Sequence, residues 1–297
     1  MGFNIKKYNI VICFTIVLIC LTVVFSSVDF SSKLKDPTQL DAGSINADTE
    51  DPGIEGNDSS SANTNSLGMP KLGNLSNVGY LLNAIDMLEK YDYGLTVNSK
   101  IEGTSMSVTG TQYLKSYVYK CGDTSYVYTN ADGSQVPMGY GETYKEYMKI
   151  NDSEISIKRD SSSIKTQNLT SYLLTHGERP DKLPFILNSD TVKMTAKNNP
   201  SETYIELTLT LKPEAWKNYL LQLKANGGDG SNPKISSITL TLKINKTYGY
   251  LISVNSEENY NITRSGIAAS TSATVNYSFK YSNDNTSSIE EINNQFK

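Results

Sequence analysis

The stretch Tyr204-Ile205-Glu206-Leu207-Thr208-Leu209-Thr210-Leu211-Lys212-Pro213-Glu214-Ala215-Trp216 decides the fold class. Ile205, Leu207, Leu209 and Leu211 alternate with Tyr204, Glu206, Thr208 and Thr210. Successive side chains of a strand point to opposite faces, so this pattern gives one apolar and one polar face. Pro213-Glu214 then opens a helix with proline in its first turn. Trp216, Tyr219, Leu220 and Leu223 form the helix's apolar stripe, and Gly227-Gly228 ends it.

The same grammar holds on either side. Downstream, Ile238, Leu240, Leu242 and Ile244 alternate, then Tyr248, Tyr250, Ile252 and Val254 after a turn at Asn245-Lys246-Thr247, then Val275, Tyr277, Phe279 and Tyr281. The polar tail after Asn283 is expected to fray. Upstream, Val192, Met194 and Ala196 form a short strand, and Asn168 to His176 a short helix closed by Gly177. Val78, Leu81, Leu82, Ile85 and Leu88 make a helix stripe, capped by Ser76 or Asn77 and stopped at Asp92-Tyr93-Gly94. Strands follow at Leu95 to Ile101, continuing to Met106 and Val108, then at Tyr113 to Tyr119 and Tyr126 to Tyr128. Asp132-Gly133 reads as the hairpin turn after them. Tyr144, Tyr147, Ile150, Ile155 and Ile157 supply further short strands. Runs of one-sided strands interrupted by two or three helices define an α+β fold, an antiparallel sheet packed on one side.

Three regions differ in charge. Residues 1–30 carry two lysines and one aspartate, residues 31–75 three lysines and seven acids, and residues 76–297 22 bases and 23 acids. The folded part lacks the basic excess of a nucleic-acid binder. Residues 1–30 hold 21 uncharged residues, Tyr8 to Val28, behind Lys6 and Lys7. As a helix they span roughly 30 Å, a bilayer core. The expected role is a signal anchor with the chain beyond it outside the cytoplasm. The competing reading is a cleaved signal peptide, with Val24 and Ser26 at the cleavage site. Cys20, between Ile19 and Leu21, lacks the small residue a lipidation site needs before it. Residues 31–75 have the composition of a disordered acidic linker, and residues 76–297 form the extracytoplasmic domain.

The chemistry-bearing residues are few. His176 is the only histidine, at a helix end, and reads as a solvated last-turn residue. Histidine-based metal sites are excluded, and Cys121 has no partner at ligand spacing; it is expected as a buried thiol or an unpaired strand residue. Glu257-Glu258 and Glu290-Glu291 point opposite ways if in strands and read as solvated surface. No cofactor is indicated, and the chain is not expected to be an enzyme. The 20 tyrosines suit the wall of an open groove as well as ordinary strands.

In the order of its features the chain resembles bacterial extracytoplasmic proteins of the lipoprotein-carrier (LolA-like) half-barrel superfamily, which includes the lipid-binding lipoproteins of mycobacteria. The resembling stretches are Tyr93-Gly94-Leu95-Thr96-Val97, Gln112-Tyr113-Leu114, Leu209 to Trp216, and Ile238 to Ile244 running into Tyr248-Gly249-Tyr250. The resemblance implies a curved antiparallel sheet wrapping helices, with an apolar cavity between them. It implies a membrane-tethered, non-catalytic binding domain for a lipid or lipidated partner. The residues expected to line the cavity are Leu207, Leu209, Leu211, Trp216, Leu220, Ile238, Leu240 and Leu242; the same residues suit a solid core. The alternative is an envelope protein-interaction or sensing domain without a small ligand.

Overall fold

Alternation builds strands that cannot stand alone, because each buries only one face; the remedy is lateral pairing under a layer of helices. In a computed structural model, residues 65–105, 108–132, 143–227, 230–264, 267–282 and 285–297 are described. In chain order they form α1 (Asn77–Lys90), β1 (Tyr93–Ser105), β2 (Val108–Cys121), β3 (Thr124–Asp132), β4 (Tyr144–Ile150), β5 (Glu154–Arg159), β6 (Lys165–Asn168) and α2 (Leu169–His176). Then come β7 (Val192–Lys197), β8 (Tyr204–Leu211), a 3-10 turn (Pro213–Trp216), α3 (Lys217–Gly227), β9 (Asn232–Asn245), β10 (Leu251–Arg264), β11 (Ile267–Tyr281) and α4 (Thr286–Asn293). The anchor segment 8–28 and the linker up to residue 64 lie outside the described residues. Among the described residues no helix is long and apolar enough to cross a membrane.

The strands form one large, curved, open antiparallel sheet of eleven, ordered β6-β5-β4-β3-β2-β1-β11-β10-β9-β8-β7. It is two meanders joined at the centre. The first strand pairs with the last, from Tyr93 opposite Tyr281 to Thr104 opposite Ser270. The inner face carries α1, α2 and α3. Under α1, β8 and β9 contribute Ile205, Leu207, Leu209, Ile238, Leu240, Leu242 and Ile244, with Leu81 and Ala84 from the helix. Under α2 lie Leu95, Val118, Val127, Met148, Ile150 and Ile155. A smaller cluster beneath α3 holds Leu223, Tyr260, Ile262, Ala273 and Val275.

Local signals set the helix ends. Ser76 caps α1, its Oγ accepting from the Gly79 N–H at 3.1 Å. Asn168 caps α2, accepting from the Ser171 N–H at 3.3 Å. Gly177 closes α2 at φ +78°, and a Cβ there would lie 2.4 Å from the Asn218 carbonyl oxygen of α3. Only glycine allows both that conformation and that approach.

Four expectations are corrected. Ala131 faces Tyr144, so β3 and β4 are not joined by a tight Asp132-Gly133 turn. The two-residue turn is Gly122-Asp123, between paired Cys121 and Thr124, with Gly122 at φ +56°. β10 begins at Leu251, and a register shift before Ser253 turns Leu251 and Val254 inward instead of the Tyr248-Tyr250-Ile252 set. The C-terminal tail is not frayed along its length: α4 packs on the outer face of the first meander, burying Ile292. Its hold includes Lys149 Nζ donating to Asn293 Oδ1 and Lys158 Nζ to the Gln295 carbonyl. Of the two alternatives for Cys121, the structure shows the unpaired strand residue, a free and exposed thiol at the end of β2. Residues 65–75, the end of the acidic stretch, are seated on the domain. Met69 is fully buried, and the Leu72 N–H donates to the Thr247 carbonyl at 2.8 Å.

Candidate functional site: a cleft at the seam of two cores

The eight residues singled out above fall in two groups. Leu207, Leu209, Leu211, Ile238, Leu240 and Leu242 are buried together beneath α1. Trp216 is half-buried against the same cluster, and Leu220 is half-buried on α3. None of the eight lines the cleft described next.

Leu88 and Phe279 touch both large clusters, so they mark the seam between them. At this seam lies a cleft of about 320 Å³. Its floor is Ile85, Leu88, Leu95, Leu183, Phe185 and Phe279. Tyr93 forms a wall, its ring edge-on to Phe279 with centroids 5.7 Å apart. The volume is at the small end for ligand sites.

The rim comes from segments distant in sequence, locked by charge. After α2, Arg179 forks onto Asp181, its Nε and Nη2 each donating to a carboxylate oxygen at 2.9 Å. Asp181 is 3% exposed, so the fork neutralises a buried charge. Arg179 also reaches Asp152 in the β4–β5 turn at 3.4 Å. The Tyr93 hydroxyl donates to the Asp181 carbonyl at 3.4 Å, and burial raises its pKa, with the Asp181 charge adding to the effect. Lys182 pairs with Glu89 at 2.8 Å. Lys120 caps the C-terminal end of α1, donating to the Glu89 and Tyr91 carbonyls at 2.7 and 3.1 Å. Asp92 Oδ1 accepts from the Gly122 N–H at 2.8 Å, tying the β2–β3 turn to the same corner.

Other polar residues occupy different places. His176 is half-buried rather than fully solvated: its ring stacks on Tyr172 with centroids 4.0 Å apart, and burial lowers its pKa. Glu257 is exposed, but Glu258 is buried beneath α3. The Glu258 carboxyl accepts from Ser256 Oγ at 2.7 Å and from the Tyr219 hydroxyl, and burial raises its pKa. Its clue was phase, since Val254, Ser256, Glu258, Tyr260 and Ile262 share one face of β10. Glu146 on β4 is also buried, with Oε2 lacking a hydrogen-bond partner among the described residues. Burial pushes its carboxyl up to about 7, against the pull of Arg159 opposite it. The tyrosine cluster is on the outer face, where Tyr117, Tyr128 and Tyr147 stack across three strands beside α4. Among the described residues no group of three or more His, Cys, Asp or Glu could hold a metal ion.

No protein-family model matches the sequence, and no curated protein matches it. Among solved structures the chain is similar to a DUF1329 family protein from Desulfovibrio piger, at 9% identity and TM-score 0.27, covering 69% of this chain and 92% of that one. It is similar to a putative outer membrane lipoprotein-sorting protein domain from Vibrio parahaemolyticus, at 8% identity and TM-score 0.28, covering 69% and 92%. It is also similar to the ywiB protein from Bacillus subtilis, at 8% identity and TM-score 0.21, covering 64% and 93%. At these TM-scores none of the three carries an argument about ligand or activity.

Proposed function

We propose that the domain is a non-catalytic binding module for an amphipathic, lipid-like ligand, held outside the cytoplasm by the N-terminal helix and acidic tether. The observation that carries this reading is the cleft, whose apolar floor and hydrogen-bonded charged rim fit a molecule with an apolar body and a polar end. The rim's Arg179 and Asp181 are spent on one another, so they are poor candidates for acid–base work. Native mass spectrometry of the purified full chain, with organic extraction and delivery of lipids, tests the reading. Co-purifying or delivered lipid is expected, and Leu88→Trp, which fills the floor, should abolish its uptake. A chain that takes up no amphiphile would overturn it.

A further inference from the structure

The cleft rim is not electrically neutral. It carries five carboxylates, Glu89, Asp123, Asp152, Glu178 and Asp181, against three cations, Lys120, Arg179 and Lys182. Each cation already has a partner in the protein: Lys120 the carbonyls ending α1, Arg179 the carboxylates of Asp181 and Asp152, Lys182 that of Glu89. An anionic head group would have to take one of them away. Among the described residues the carboxylates of Asp123 and Glu178 pair with no such cation; Glu178 Oε1 accepts the backbone N–H of its neighbour Arg179. Behind the rim stand the rings of Tyr93, Phe185 and Phe279, surfaces that attract cations.

We infer that the cleft selects amphiphiles with a cationic, amine-type head group. The apolar tail lies along Leu88, Leu95 and Leu183, and the ammonium group stands at the rim between Asp123 and Glu178. This rests on the ligand-binding reading of the cleft and adds the sign of the ligand's charge.

The test uses the full chain in phosphatidylcholine discs, with empty discs as blank. Two probes share a twelve-carbon tail: dodecyltrimethylammonium and dodecanoate, each titrated calorimetrically below its micelle threshold. The ammonium probe is expected to bind about tenfold tighter, the scale of one to two charges at a wet rim. Its affinity should weaken as salt is raised. Asp123→Asn with Glu178→Gln should remove that preference, while Leu88→Trp should lose both probes. Equal or tighter binding of dodecanoate, or a preference unchanged in the double variant, would overturn the charge inference and leave the cleft reading standing. Binding of neither probe would overturn both.

Discussion

The cluster beneath α1 and the seam beside it are built from the same sheet but filled differently. Beneath α1 the fully buried side chains of β8 and β9 are aliphatic and interdigitate with Leu81 and Ala84. At the seam, rings and ion pairs take over: Tyr93, Phe185 and Phe279 below, Arg179–Asp181 and Lys182–Glu89 above. Branched aliphatic chains of similar size fill the interlayer space to interior density beneath α1, whereas at the seam rings and ion pairs surround a cleft. The aliphatic side is therefore the foundation, and the seam is where the layers leave a cleft.

Substitutions can break or sharpen this contrast. Leu240→Ala, in the aliphatic cluster, should cost about 3–5 kcal/mol in denaturant unfolding and have no direct effect on the cleft. Arg179→Ala leaves Asp181 buried without its partner. It should cost about 3 kcal/mol and weaken amphiphile binding, read by the same unfolding series and by titration. Glu146→Gln tests the polar part of the first meander. Because burial raises the Glu146 pKa to about 7, its carboxyl is protonated and harmless below the unfolded value of about 4.3. Stability should fall as pH rises from there through about 7. The variant should flatten that decline and gain roughly 1–3 kcal/mol at pH 8, measured by unfolding at several pH values. Leu88→Ala should be mildest, about 1 kcal/mol, because its site adjoins an existing cavity. An Arg179→Ala variant as stable as wild type, or a Leu88→Ala loss as large as that of Leu240→Ala, would erase the distinction.

Much of the sheet was legible because alternation is a one-dimensional signal. Ile205 to Leu211 needs no neighbour to be read as one-sided, and Ser76, Asn168 and Gly177 announce helix ends through local chemistry. Illegible features were those whose meaning depends on a partner. Asp132-Gly133 has the composition of a tight hairpin turn, but the register of Ala131 with Tyr144 excludes a two-residue link between β3 and β4. Ser256 and Glu258 interrupt the apolar run of β10, and Glu258 is buried because Ser256 beside it and Tyr219 on another element both donate to its carboxyl. The cleft drew on Leu88, Leu95, Asp152, Arg179 and Phe279, which no periodicity links. Leu207, Leu209, Leu211, Ile238, Leu240 and Leu242 stood out in the sequence because a clean apolar alternation marks burial, and burial alone does not mark a site.

The central pairing of β1 with β11 also has a consequence in time. Leu95 comes from the first strand of the domain and Phe279 from the last, opposite each other in the ladder. While the chain is still emerging, β1 is paired with β2 on one side but its other edge is open along its length, a template for aggregation. Contacts of such long range close slowly. Assembly is thus completed at its middle, by the last strand to arrive. A chain cut short before Phe279 would lack the cleft and expose the edge, so the cleft exists only once the sheet is complete.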